Sequence, residues 1–382
     1  MKNKTVLYSL LVGVLFLSFL GKNFFSKPDI TYKDFDRLDG ENTLFWNWKK
    51  FTDEDKEALL FYKNLYLHYF KEVKESNKWA KIPKTLHYIW LGPKEFPIES
   101  ISYVNSWMQR HPKWTVKFWT DDPDRPLPHS GMEKHLISEL SLSHLGSYVE
   151  RTDNFGEKSD LLRYEILFQE GGIYVDHDIE CFHCFDALAS SVDFFAGLEP
   201  PHLNEGIDGR IFPCNAIFGA KPAHPVLAKT IDYVKKRWDK VDQVFPGTDA
   251  QSRTLKVIHR TFHSFSLGTR QGLNIEGNKD IVFPASFFYP DLIITGKAFE
   301  RLKEKGFIWA SHKCSGEWKP QDSSSLLKEE LEIATSKNRL YKKQLKNTRI
   351  LLYGNFAISG LCLYWFFQER QKKRKARGWK HL

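Results

Sequence analysis

The stretch from Ser159 to Glu180, SDLLRYEILFQEGGIYVDHDIE, holds the densest set of residues able to do chemistry. Asp176-His177-Asp178 follows an apolar Ile173-Tyr174-Val175 run that reads as a strand, so two carboxylates spaced i, i+2 stand at a strand's C-terminal end. In open α/β sheets, ligands bind outside those ends. Carboxylates so spaced can bring hard oxygen ligands to one divalent cation, with substrate phosphates completing the shell. A D-x-D pair alone is common in surface loops, but the GGIYV lead-in sets this one on a rigid element. Upstream, Asp160 and Arg163 stand i, i+3 and share a helix face. They read either as a structural ion pair near the helix start or as a carboxylate for a substrate hydroxyl beside a guanidinium for a departing phosphate.

These residues need a scaffold, and the surrounding texture supplies one. A helix spans 158–170 and stops at Gly171-Gly172, a good C-terminal breaker. Strands are expected at 85–91, 116–119, 173–175, 194–198, 215–219 and 281–283, with a helix over 100–110. Strands alternating with helices give an α/β domain with a mixed, mainly parallel sheet flanked by helices. Before it, residues 29–81 form a lead-in with an apolar periodic helix over 58–73. The domain itself covers 82–320, and an amphipathic helical linker follows over 321–349.

The chain has 382 residues, 42% hydrophobic and 27% charged, which excludes a disordered or collagen-like chain. Its net charge of +9 is concentrated at one end: from Arg349 onward there are eight Lys or Arg and one acid, so residues 1–348 carry about +2. The basic character therefore belongs to a tail and does not indicate a nucleic-acid-binding domain. Two apolar runs bracket the chain. Residues 5–20 (TVLYSLLVGVLFLSFL) make 1–28 a membrane anchor or signal, with a retained anchor favoured for want of a small-x-small cleavage site. Residues 350–367 (ILLYGNFAISGLCLYWFF), followed by the basic cluster to residue 380, make 350–382 a membrane segment with a basic tail. Lysines flank both runs on both sides, so orientation is open. Five cysteines, one within the second run, make no disulfide framework, and a lone Cys181-x-x-Cys184 is read as incidental rather than as a zinc or redox site.

Several separate pieces, in order, resemble the glycosyltransferases with a DXD-containing sugar-binding region, of the yeast initiating mannosyltransferase and inositol-phosphoceramide mannosyltransferase type. The glucosylating clostridial toxins are more distant relatives. The pieces are Ile82-Pro83-Lys84 with His87-Tyr88-Ile89-Trp90-Leu91-Gly92; Ser106-Trp107, Pro112, Trp114 and Trp119-Thr120-Asp121; Ser159–Tyr164 with Gly171–Asp178; Asn215-Ala216-Ile217 with His224-Pro225; and Ser311-His312 with Trp318. The resemblance covers roughly 82–320 and neither terminus. It implies a GT-A-type fold and transfer of a sugar from a UDP- or GDP-sugar, with retention, to a hydroxyl on a glycan, lipid or protein. Carried over by position, Asp178 would ligate Mn²⁺ or Mg²⁺, and Asp176 would contact ribose or sugar and the metal shell. Asp160 would hold donor-sugar hydroxyls and Arg163 the donor phosphate. Trp90, Tyr174 and Asn215 would line the nucleotide-sugar. His312 is either a further metal ligand or a loop histidine packed near Trp309 or Trp318, since Ser-His here replaces the double histidine of relatives. Asn215 is either a sugar contact or a buried strand-end amide. His177 faces away from its neighbours by strand alternation and receives no role.

The implied location is a membrane, either a bacterial inner membrane or a eukaryotic Golgi or ER membrane. Two other classes compete. A haloacid-dehalogenase-like phosphatase also ends an apolar strand in D-x-D, but there the motif opens the domain, and no SDLLRYEIL helix precedes it. A non-catalytic membrane protein that binds a nucleotide-sugar is the other, disfavoured because an unused site has no physical need for clustered carboxylates.

Overall fold

The computed structural model describes residues 29–316 except 42, 44, 47, 72, 74–80, 202–209 and 295. Both apolar runs, the 321–349 linker, the basic tail and Trp318 lie outside the described residues. Among the described residues no helix is long and apolar enough to cross a membrane.

A seven-stranded sheet runs in the order β3-β2-β1-β4-β7-β6-β8. Its strands are β1 Thr85–Trp90, β2 Thr115–Thr120, β3 Glu133–Leu136, β4 Gly172–Val175, β6 Phe194–Leu198, β7 Pro213–Ala220 and β8 Asp280–Phe283. The β3-β2-β1-β4 half is parallel, β7 runs antiparallel to both β4 and β6, and β6-β8 is parallel again. The expected mixed, mainly parallel sheet is therefore present. Every residue of β4, β6, β7 and β8 is buried, as continuous apolar strands covered on both faces should be. A separate pair, β5 Ile179–Cys181 with β9 Ala310–His312, grows directly out of the D-x-D segment.

Helix boundaries follow their caps. Helix α1, Asp53–Tyr69, starts five residues before the 58–73 reading because Thr52 and Asp55 form a capping box. It packs on the β8 edge through Tyr66, whose ring lies 6.0 Å from those of Phe283 and Phe287. Helix α2, Ile98–Arg110, begins after Pro97. Helix α3, Phe155–Glu170, begins earlier than 158 because the Asn154 side chain accepts from the Glu157 amide. Helix α4, Pro225–Val244, is capped by His224, whose Nδ1 accepts from the Val226 amide while Nε2 meets buried Asp280 at 3.0 Å. His224-Pro225 thus serves a helix start.

The α3–β4 joint is the tightest point of the scaffold. Gly171 (φ 67°) and Gly172 (φ 100°) both take conformations that L side chains rarely adopt. A Cβ on Gly171 would stand 2.9 Å from the Ala220 carbonyl, and one on Gly172 would stand 2.8 Å from the Thr85 carbonyl and 2.7 Å from His87 Nε2. His87 is fully buried. Its Nε2 lies 3.0 Å from the Gly171 carbonyl and its Nδ1 accepts from the Trp119 indole N–H at 3.2 Å, an arrangement that needs a neutral ring with the proton on Nε2. Burial lowers its pKa to about 3, against the pull of the Gly171 carbonyl.

Two consequences can be measured. Gly172→Ala meets both a left-handed backbone and a backbone oxygen, and should cost at least about 2 kcal/mol in denaturant unfolding. For His87, a folded pKa below the unfolded one means stability present at neutral pH and lost as pH falls from about 6.5 toward about 3. Unfolding free energies at pH 7 and pH 4.5 should therefore fall further in the wild type than in His87→Gln; equal falls would refute the neutral clamp.

Candidate active site

Four buried charged residues lie on α3: Glu157, Asp160, Arg163 and Glu165. Buried charges persist only when paired, and each of these is. Glu165 accepts from the His144 and Leu145 amides and from His144 Nδ1, at 3.3, 2.9 and 2.8 Å for the shortest contact of each. Glu157 meets Arg260 at 3.4 Å. Asp160 and Arg163 pair at 3.0 Å. Arg163 also reaches Asp176 at 3.3 Å, donates to the Asn215 carbonyl at 2.8 Å, and rests on the Tyr174 ring at 4.0 Å. One guanidinium thus joins α3 to the end of β4 and the start of β7.

Asp160 is held on both oxygens. Its Oδ1 accepts from Asn215 Nδ2 at 3.0 Å, besides Arg163, and its Oδ2 accepts from Thr261 Oγ1 at 2.5 Å. Burial pushes its carboxyl above the usual range, while Arg163, Thr261 and Asn215 oppose that rise. Asn215 also donates to the Tyr164 hydroxyl at 2.7 Å. Tyr174 is buried under Arg163, and its hydroxyl donates to Asp176 at 2.5 Å. Both sequence-selected residues are therefore engaged in orienting carboxylates.

Asp176, Asp178 and His312 form a group whose potential ligand atoms all lie within 4.8 Å of one another. His312 Nε2 stands 3.2 Å from Asp178 and 3.9 Å from Asp176. For metal–ligand bonds of about 2.1 Å, neighbouring ligands of an octahedron are about 3 Å apart and opposite ones about 4.2 Å, and the His312 distances to the two carboxylates fall in that range. Two carboxylates with an imidazole are a donor set able to hold a divalent cation. The β5–β9 pairing brings His312 there, matching it with Ile179. The chain then folds over Asp178: the Lys313 amide donates to its carbonyl at 3.0 Å and the Ser315 amide to Oδ2 at 2.7 Å. Burial raises the Asp178 pKa, but His312, His177 and the Ser315 amide outweigh it and hold the carboxyl well below its usual range. Burial lowers the His312 pKa, and Cys314 and Asp178 override it to hold the ring well above its usual value.

Trp90 ends β1 beside the site. It is 8% exposed, and its indole N–H donates to the Lys94 carbonyl at 2.8 Å. The loop it pins is held again by Asp121, which accepts from the Gly92 amide at 2.9 Å, and by Arg125, which donates to the Gly92 and Lys94 carbonyls. The Asp121–Arg125 segment thus braces the loop that follows β1. Cys181 and Cys184 are free, and their thiols meet the His183 carbonyl and Asp186; neither belongs to the metal-type group.

Nothing in the sequence pattern joins Thr261, Tyr164, Ser315 and Tyr174's link to Asp176 into one network. Thr261 sits in a π-helical turn, Ile258–Phe262, between helices α5 (Ala250–Val257) and α6 (His263–Gly272). Such turns recur at functional sites, yet nothing in local sequence announces one.

Residues 97–195 match the family described as the glycosyltransferase sugar-binding region containing a DXD motif. That is the class of protein this chain is similar to. Among curated relatives, inositol phosphoceramide mannosyltransferase 1 of Schizosaccharomyces pombe is 27% identical over 237 residues, 60% of this chain and 66% of that protein. Subversion of eukaryotic traffic protein A of Legionella pneumophila is 27% identical over 42% of this chain and 26% of its own length. The matches thus span just under two thirds of the first and about a quarter of the second. Among solved structures, the PaToxG glycosyltransferase aligns at a TM-score of 0.34 with 17% identity, covering 66% of this chain and 93% of that one.

If the Asp160 network is a clamp, Thr261→Val leaves a buried carboxylate oxygen without its donor and should lower unfolding stability by about 1–3 kcal/mol. Thr261→Ser, which keeps the hydroxyl, should recover most of that loss in the same assay.

Proposed function

We propose that this chain is a membrane-attached, metal-dependent glycosyltransferase of GT-A type that moves a sugar from a UDP- or GDP-sugar to a hydroxyl on a glycan, glycolipid or protein, with retention at the anomeric carbon. The observation that carries the reading is the meeting of two sets: Asp176, Asp178 and His312 within ligand distance of one another, and the Asp160–Arg163 pair joined to Asp176 by the same guanidinium. Glycosyl transfer from such a donor expels a nucleoside diphosphate, so cationic charge is needed where negative charge develops. Asp176, Asp178 and His312 would hold a divalent cation, which when bound neutralises the diphosphate. Asp178 has a side chain only 5% exposed and His312 one of 14%, so Asp176, at 22%, offers the more open oxygen to donor and metal shell. Asp160, clamped on both oxygens, presents a fixed acceptor to donor hydroxyls. Trp90 would lie near the nucleotide base of the donor. The names of the S. pombe and Saccharomyces cerevisiae relatives, which include inositol phosphoceramide mannosyltransferase 1 and mannosyl phosphorylinositol ceramide synthase CSH1, favour an activated mannose and a lipid-linked acceptor. Membrane attachment rests on the two apolar runs of the sequence.

The test is nucleoside diphosphate release by the full chain from a panel of UDP- and GDP-sugars, with Mn²⁺ or with chelator. Slow donor hydrolysis needs no acceptor. Release from one donor should require the metal and fall by at least about 100-fold in Asp178→Asn. Silence across the panel with metal-dependent nucleotide binding would leave a binding protein instead.

A further inference from the structure

The middle residue of the D-x-D segment is engaged on the side away from the carboxylates. The chain turns at this point, with the Ile179 amide donating to the Asp176 carbonyl at 3.3 Å, so His177 and Asp178 occupy the two central positions of the turn. The His177 ring sits edge-to-face against Trp90 at 4.9 Å (76°) and against Phe96 at 5.9 Å (75°). Its Nδ1 is 2.9 Å from the hydroxyl of Ser100, a buried residue in the first turn of α2. Phe96 in turn meets Phe118 of β2 at 5.9 Å. The corner of the turn is therefore gripped by the end of β1, the loop before α2 and α2 itself.

We infer that His177 is a positioning residue: wedged between Trp90, Phe96 and Ser100, it fixes the turn that sets the spacing of Asp176 and Asp178, and so sets the affinity of that pair for a divalent cation. The inference rests on the metal-dependent reading above. Its physical basis is that a two-residue turn has soft dihedrals, while the carboxylates it carries must meet one ion together. Tyr174 and Arg163 hold Asp176, and the Ser315 amide and His312 hold Asp178. These holds act on the carboxylate groups themselves, His312 reaching both, whereas His177 anchors the peptide between them. A small aliphatic residue here would keep the turn sequence but lose both the aromatic wedge and the hydrogen bond. The same side chain joins Trp90 to the carboxylates, which ties the wall of the site to the metal-type group.

The experiment measures Mn²⁺ binding to the full chain, from the loss of the free-ion electron paramagnetic resonance signal, in wild type, His177→Ala, His177→Asn, Ser100→Ala and Asp178→Asn. Supporting tissue of this kind around a metal site is worth about 10- to 100-fold in affinity. His177→Ala should bind Mn²⁺ at least about tenfold more weakly, and the Mn²⁺ concentration for half-maximal nucleoside diphosphate release should rise by the same factor. His177→Asn, whose amide can still meet Ser100, should recover part of the loss, and Ser100→Ala should fall between wild type and His177→Ala. Wild-type Mn²⁺ affinity in a folded His177→Ala overturns the inference while leaving the metal site standing. Should His177→Ala fail to fold, Ser100→Ala, which removes only a hydroxyl, decides: unchanged affinity there overturns the inference too. Absence of Mn²⁺ binding in the wild type, or binding unchanged in Asp178→Asn, sinks the metal-dependent reading and the inference together.

Discussion

Arg163 is the interaction on which the site depends. Asp160, Asp176 and Asp178 bring three carboxylates into one buried region, and two like charges about 4 Å apart repel by about 4 kcal/mol at the effective dielectric of a protein site. A single guanidinium touches two of the three, at 3.0 and 3.3 Å, and spends another N–H on the Asn215 carbonyl. Its own desolvation is offset by those contacts and by the Tyr174 ring beneath it. The carboxylates raise its pKa against the effect of burial, so it stays charged throughout the working range. Lysine could not replace it, because a point charge cannot bridge two carboxylates and a carbonyl in fixed directions. One charge of the three is left without a guanidinium, on Asp178, and that is where His312 and the Ser315 amide converge.

How much of this was legible in the sequence follows from the range of each interaction. The D-x-D corner, the helix before it and its Gly-Gly stop are local, and the sequence pattern places each within a few residues of its observed bounds. The caps set the remaining difference: Asn154 and the Thr52–Asp55 box extend helices beyond the apolar periodicity that marks them. Strand alternation assigns His177 no role, because it says only which way a side chain points and not what waits there. Trp90, Phe96 and Ser100 arrive from other elements. Thr261 lies 101 residues from Asp160, and Ser315 lies 137 from Asp178. No period or spacing links residues so far apart. His312 could be named as a candidate, yet its meeting with Asp178 depends on the β5–β9 pair, which is only three residues long on each side and carries no strand signature of its own.

The sheet also decides which strand ends can meet. β4 is parallel to β1 and antiparallel to β7, so the C-terminal end of β4 lies beside the N-terminal end of β7, where Val175 pairs with Ile217. Asp176 continues that contact, its amide donating to the Ala216 carbonyl at 2.9 Å. Asn215 is thereby placed within reach of Arg163 and Asp160, which an all-parallel sheet would have sent to the opposite edge. The change of strand direction is what gives the site an amide donor as well as carboxylates.

The meeting of Asp160 and Asp176 through Arg163 also has a reason in simple lengths. Helix α3 runs toward the Gly171 turn and β4 runs back from it. From Asp160 to Gly171 the helix covers eleven residues at about 1.5 Å each, about 16.5 Å. From Gly171 to Asp176 the strand covers five at about 3.3 Å, again about 16.5 Å. The two carboxylates are thus level across the helix–strand layer, and Arg163, three residues further along the helix, leans back toward the helix N-terminus as helical side chains do and fills the gap between them. Deleting one helical residue would shift Asp160 by about 1.5 Å and turn it about 100° about the axis, and the turn would matter more than the shift. Hence the spacing from the aspartate on the helix, through the glycine pair, to the D-x-D corner is a geometric requirement of the site, and the two glycines are its fixed point because their backbones press against Ala220 and Thr85 with no room for a side chain.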